Sequence, residues 1–168
     1  MYKFARIIPS RLRRSLEVLL IDHGFPPKRR RGAAGIAQLG HRGYVGRESF
    51  YDKLGRRQLD FLVGEGLQRS DVLCDIGCGS LRGGCRFIEY LDAGDYLGLE
   101  GEGRLVQLGI EHELDAGVLV SKVREFVISY HFEFRQFSRS PTYALAVSVF
   151  SLQSPDRVRH SPLFAKPG

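Results

Sequence analysis

The 168-residue chain has no apolar run of the roughly 18 to 20 residues that crossing a bilayer requires, which argues against an integral membrane protein. Cysteine is scarce. Cys74, Cys78 and Cys85 all fall in one segment, and an odd count at that spacing matches neither a disulfide scaffold nor the paired short loops of a zinc site. Reduced thiols in a cytoplasmic protein are the simpler reading, with no metal expected. The stretch His112-Glu113-Leu114 lacks the second histidine of a zinc-protease helix, since position 116 is alanine. His112 itself reads as a packing residue. A secretory signal is poorly supported too, because no clean apolar core follows the N-terminal charges. The length fits one domain with a core of its own and an appended arm.

What is abundant is positive charge, and only at one end. Residues 1–47 hold 11 Lys/Arg against Glu17 and Asp22, a net of +9, whereas the rest of the chain holds 14 against 17 acids, a net of −3. Leu12, Leu16, Leu19 and Leu20 recur at helical spacing among the arginines until "PPKRRRG" breaks the pattern. Residues 1–43 therefore read as a basic arm, partly helical or disordered, and 44–168 as the folded body. A solvated tail, a helix on an anionic membrane surface or against a protein partner, a transit peptide and a nucleic-acid contact all remain open for the arm.

The body alternates between two periodicities. Tyr44 to Leu67 reads as helix, with Phe50, Leu54, Leu59, Phe61, Leu62 and Leu67 on an apolar face that Gly55 and Gly64 interrupt. "RSDVLCDI" is a short buried strand and "GGCRFIEYL" a helix. "YLGLE" is a second strand, followed by the helical "GRLVQLGIEHELDAG" with Gly117 as its stop signal. "EFVIS" makes a third strand. "YALAVSVF" makes a fourth, apolar throughout, as in a strand covered on both sides. This order predicts a Rossmann-like, doubly wound, mainly parallel α/β sheet with helices on both faces. Such sheets bind ligands beyond the carboxyl ends of their strands, where strand order reverses. The segment that falls there is "DIGCGS".

A dinucleotide fingerprint would read G-x-G-x-x-G. Gly77 and Gly79 fill the first two places, but the third holds Arg82. More informative is Asp75, two residues ahead of the first glycine. A carboxylate at the mouth of the turn repels a pyrophosphate and attracts a cation. S-adenosylmethionine carries a sulfonium and an ammonium group and needs the close backbone approach that glycine allows. Glu100 ends the second strand, 21 residues after Gly79, near the spacing at which an acid grips ribose hydroxyls.

On these residues the chain resembles the class I S-adenosylmethionine-dependent methyltransferases, from about Tyr44 to Pro155. "DIGCGS" is similar to their first motif, "GLEG" to their second, and "YALAVSVFS" to their fourth strand. The resemblance implies S-adenosyl-L-methionine as cofactor. It also implies that Gly77, Cys78 and Gly79 line the methionine portion, with Asp75 ordering its amino group directly or through water, and that Ser80 is among the cofactor-binding residues. Glu100 would hold the ribose, with Gly101 leaving room beside it, and Val147 and Ser148 would lie near the reacting centre. The implied activity is methyl transfer to a small-molecule or glycan acceptor. No catalytic base is assigned; His112, His131 and His160 are candidates by residue type alone.

Departures from the pattern define a rival. Where related sequences carry an acid after the third strand, this chain reads "SYHFEF", so that His131 and Glu133 stand near the adenine or on the surface. "SLQS" follows the fourth strand. The seven-strand core of the family has room here for about four strands, and Pro162 breaks the helix that "SPDRVRH" starts. A sheet ending there leaves its fourth strand open to association. The alternative is thus a non-catalytic or truncated relative serving as a cofactor-binding or interaction module. A nucleic-acid substrate is disfavoured, because the body is mildly acidic and no Asn-Pro-Pro-Tyr or Asp-Pro-Pro-Tyr signature is present.

Overall fold

The structure, a computed structural model, describes residues 32–122, 124–130, 134–147 and 149. The basic arm before residue 32 and the tail after Val149 lie outside the described residues, as do Ser148, His131, Glu133 and His160.

Four short strands, Leu73–Ile76 (β1), Tyr96–Glu100 (β2), Arg124–Ile128 (β3) and Tyr143–Ala146 (β4), form one sheet in the order β3-β2-β1-β4. Every pairing is parallel, with Asp75 opposite Gly98 and Ile76 flanked by Leu99 and Ala146. The chain steps outward from β1 to β2 and β3, then crosses back to lay β4 on the other side of β1. Strand order therefore reverses at β1, which puts the carboxyl end of β1 at the ligand-binding crevice of a Rossmann-like α/β fold.

Side chains alternate across a strand, so β1 sends Leu73 and Asp75 to one face and Cys74 and Ile76 to the other. The helices Tyr51–Gly64 (α2) and Gly84–Tyr90 (α3) pack on the Leu73 face, as does Gly103–Glu113 (α4). There Leu62, Phe87, Ile88, Tyr96 and Val106 share one buried cluster. The opposite face buries Cys74, Ile76, Leu97, Leu99 and Val127 against Phe134 and Phe137, from a short 3-10 turn at Phe134–Gln136 and the residue after it. The expected helices on both faces are thus met on one face among the described residues. All three cysteines are free and buried, and burial pushes the Cys74 and Cys85 thiols up to about 12 and about 11, so neither is a nucleophile at neutral pH. No described helix is long and apolar enough to cross a membrane.

Three expected boundaries shift. The helix from Tyr44 to Leu67 is two helices: Ala33–Val45 (α1), interrupted at Gly40, and α2, joined through extended backbone at Gly46 and Arg47 and a 3-10 turn at Glu48–Phe50. The break lets the Arg82 side chain reach the carbonyl of Val45 at 3.1 Å. α1 also straddles the expected border between arm and body. The helix that begins at Gly103 stops at Glu113 instead of Gly117, because Leu114 turns extended to join the core. Gly117 instead lies inside the next helix, Ala116–Ser121 (α5). Finally, β4 is half exposed and ends at Ala146. It has one strand neighbour among the described residues, while its two faces pack against both core clusters, Tyr143 and Leu145 against one and Ala146 against the other.

Candidate functional site

The loop after β1 has an unusual backbone. φ is positive at Gly77 (71°), Gly79 (55°) and Leu81 (64°), alternating with ordinary values at Cys78 and Ser80. Such alternation of sign turns successive N–H groups to one side of the chain, the backbone pattern of anion-binding nests. Glycine adopts it freely, whereas the fully buried Leu81 holds it at a cost of about 1–3 kcal/mol.

The nest is already filled, and by the protein. Gly77 and Cys78 donate their N–H groups to the carbonyl of Leu99 at 2.7 and 3.2 Å. Gly79 N–H donates to Oε2 of Glu100 at 2.9 Å, and Oε1 of Glu100 accepts the Glu102 N–H at 2.9 Å. A phosphate arriving here meets a carboxylate where a Rossmann dinucleotide site offers free amides. A carboxylate has about four lone-pair positions, so Glu100 still has acceptor capacity for a hydroxyl.

Asp75 completes the picture. It is 7% exposed, and the Tyr96 hydroxyl donates to its Oδ2 at 2.9 Å. Burial pushes its pKa up to about 6; the Tyr96 bond and the more distant Arg82 pull it back, while Glu100 pushes it further up. Among the described residues no cation stands within ion-pair distance of it. A buried acid that is ionised at neutral pH and lacks a counter-ion is costly, and an incoming cation offsets that cost.

No protein-family model matches the chain, and no curated protein does. Among solved structures it is similar to a crystal structure of magnesium protoporphyrin IX methyltransferase from Synechocystis with bound SAH, at 10% identity and a TM-score of 0.45. The alignment covers 79% of this chain and 52% of that one, so the chain spans about half of that protein's length. The roles of the loop residues rest on their own geometry.

Of the expected site residues, Asp75, Gly77, Cys78, Gly79, Glu100 and Gly101 gather at the carboxyl ends of β1 and β2, and Val147 follows β4 half buried. Gly77 is exposed at the mouth, where an added Cβ would stand 2.5 Å from Val149 Cγ2. The Cys78 side chain points inward, its Sγ 3.2 Å from where a Cβ on Gly98 would stand; burial raises its thiol well above the ordinary value. Beside Gly101 the Tyr130 ring occupies the space that a side chain would need, and Tyr130 itself is 56% exposed.

Ser80 requires a correction. Expected to line the cofactor, it is completely buried: its hydroxyl donates to the carbonyl of His41 at 3.1 Å, and its own carbonyl accepts the Tyr51 hydroxyl at 2.5 Å. It ties the loop to α1 and α2 and does not face the mouth. His112 stacks on His41 with centroids 5.1 Å apart, in keeping with a packing role.

Tyr96 was not foreseen as a site residue. Its signal was available: it lies two residues before Gly98, the register partner of Asp75, so both side chains share a face. The loop's second anchor, Tyr51, carried no such signal, because it lies 29 positions from Ser80 on a helix.

Proposed function

We propose that this chain is an S-adenosylmethionine-dependent methyltransferase acting on a small-molecule or glycan acceptor. One observation carries the reading: a buried carboxylate, Asp75, with no ion-pair partner among the described residues, at the strand-order reversal, beside loop amides already taken up by Glu100 and the Leu99 carbonyl. The pair disfavours phosphates and favours a nucleoside that carries positive charge. The donor set fits the cofactor. Asp75 would order its ammonium group, Glu100 its ribose hydroxyls, and the backbone of Gly77 to Gly79 would let it approach closely. When bound, the cofactor supplies an electrophilic methyl group for in-line displacement. The protein contributes proximity and orientation.

Calorimetry with S-adenosylmethionine, NAD and ATP tests this. Heat with the first ligand alone is the expected outcome; no heat at millimolar S-adenosylmethionine, or tighter binding of ATP, sinks it. The pH profile adds a second check. Asp75 loses its charge as pH falls through about 6, so affinity is expected to be flat between about pH 7 and 8. Below about pH 6 it should weaken about tenfold per pH unit, the slope of a single proton.

β4, half exposed and with one strand neighbour among the described residues, favours a second reading, in which the domain binds the cofactor without turnover and works by association along that edge. In either reading the basic arm supplies a peripheral contact with an anionic membrane or a protein. A single methylated product from a panel of acceptors selects the enzyme.

A further inference from the structure

Three contacts run from α1 to the loop. Ser80 donates to the His41 carbonyl at 3.1 Å, Arg82 donates to the Val45 carbonyl at 3.1 Å, and a Cβ at Gly79 would stand 3.0 Å from Val45 Cγ1. The loop is therefore shaped in part by where α1 sits. On its other side α1 is tied to α4 by the buried carboxylate of Glu113, while Arg42 also pairs with the exposed Asp52 of α2 at 3.3 Å. Glu113 accepts two hydrogen bonds from Arg42, at 2.7 Å from Nε and 2.6 Å from Nη2, and pairs with Nε2 of His41 at 2.6 Å. Its side chain is 5% exposed. Burial alone would raise its pKa, but the bonds from Arg42 and His41 outweigh that and keep it below the ordinary carboxylate value. Arg42 also lies 4.7 Å over the ring of Tyr51, the residue that anchors Ser80 from the other side.

We infer that Glu113 is a positioning residue for the loop, acting through the His41–Arg42 segment of α1 and through Ser80. It touches neither the nest nor Asp75. Its effect is to fix the α1 carbonyls that Ser80 and Arg82 bond, and through them the curl that aims Gly79 N–H at Glu100. Docking of α1 and order in the loop are then one linked equilibrium, so a ligand that orders the loop also tightens α1. The inference rests on the cofactor reading only where ligand binding is measured.

The test is amide hydrogen exchange on the full ligand-free chain, comparing wild type with Glu113→Gln. Gln keeps the shape and one acceptor but lacks the charge that holds the Arg42 fork. Exchange at Cys78 to Arg82 and along α1 is expected to quicken about tenfold or more, while the strand amides of β1 and β2 keep their rates. Arg42→Lys, which retains charge but not the fork, is expected to give a smaller change in the same amides and serves if the Gln variant does not fold. Unchanged loop exchange beside a loosened α1 overturns the inference. So does parallel quickening of loop and strands, which marks general destabilisation. With S-adenosylmethionine, Glu113→Gln is expected to weaken affinity about tenfold, and Ser80→Ala added to it to weaken it little further, since both cut the same path. If wild type binds no S-adenosylmethionine, the cofactor reading falls and the exchange comparison still decides the role of Glu113.

Discussion

Gly55→Ala is expected to lower the stability of the fold by about 2–3 kcal/mol, although alanine is the better helix former. In an open helix the exchange should stabilise by about 1 kcal/mol. Gly55 is not in the open. It is buried on α2 where the helix crosses the loop, and an added Cβ would fall inside the van der Waals envelope of the Arg82 carbonyl oxygen. Backbone stands on both sides, so no side chain can swing aside; one of the two segments must shift. Overpacking of this kind costs about 1–3 kcal/mol and occasionally more, enough to reverse the sign set by propensity.

Gly64 is the internal control. It lies on the same helix with nothing within 4 Å of an added Cβ, so Gly64→Ala is expected to be neutral or to stabilise by up to about 1 kcal/mol. Urea or thermal unfolding of both variants measures the difference. For a chain of this size about 2–3 kcal/mol corresponds to a melting point lower by roughly 5–10 °C. A Gly55→Ala protein as stable as wild type would mean that α2 and the loop are not in contact, and the anchoring of Ser80 by Tyr51 would go with it.

Asp75→Asn is expected to do two opposite things: stabilise the protein at neutral pH and abolish tight cofactor binding. The pKa of Asp75 is raised from the ordinary 3.8 to about 6. A group raised on folding contributes stability that is fully present below its unfolded pKa and is lost as pH rises through its folded one. Wild type should therefore lose about 3 kcal/mol of this contribution between about pH 4 and pH 7. The asparagine variant has no proton to lose, and its amide oxygen can still accept from Tyr96.

The two proteins should thus be similarly stable near pH 4, diverge between about pH 4 and pH 6 and stay apart above it, the variant being more stable by about 3 kcal/mol at pH 8. Affinity moves the other way. A unit charge about 4 Å from a ligand cation at a partly screened site is worth about 4 kcal/mol, so a loss of about 100-fold or more is expected. Denaturant melts at pH 4 and pH 8, with calorimetry at pH 8, read both effects. A variant that binds S-adenosylmethionine as well as wild type would remove Asp75 from the site.

These two residues also mark how far the sequence can be read. Asp75 was legible because strand periodicity placed it at the end of β1 and the glycines placed a turn after it. Neither feature says whether its carboxylate points outward or is buried under Tyr96. Gly55 and Gly64 look alike in sequence, as two weak points in one helix. Only the crossing of α2 over the loop, 27 positions along the chain at Arg82, makes one indispensable and the other spare. Ser80 was misread for the same reason, since its partners His41 and Tyr51 come from helices that local pattern cannot bring to it. The break at Gly46 was hidden because the apolar face that marks the helix begins only at Phe50, beyond it.

The sequence alone determined the alternation of strand and helix, hence a parallel α/β sheet, the position of the glycine turn, and the two acids on either side of it. These follow from periodicity and backbone sterics, which act over a few residues and are written locally. Tertiary structure decided what those acids do. Glu100 caps the Gly79 N–H because β2 pairs in register beside β1, and Asp75 has no ion-pair partner among the described residues because the fold buries it against a phenol, with Arg82 acting on it only through space. Hydrogen-bond partners and desolvation depend on neighbours supplied from distant parts of the chain, and no local pattern encodes them.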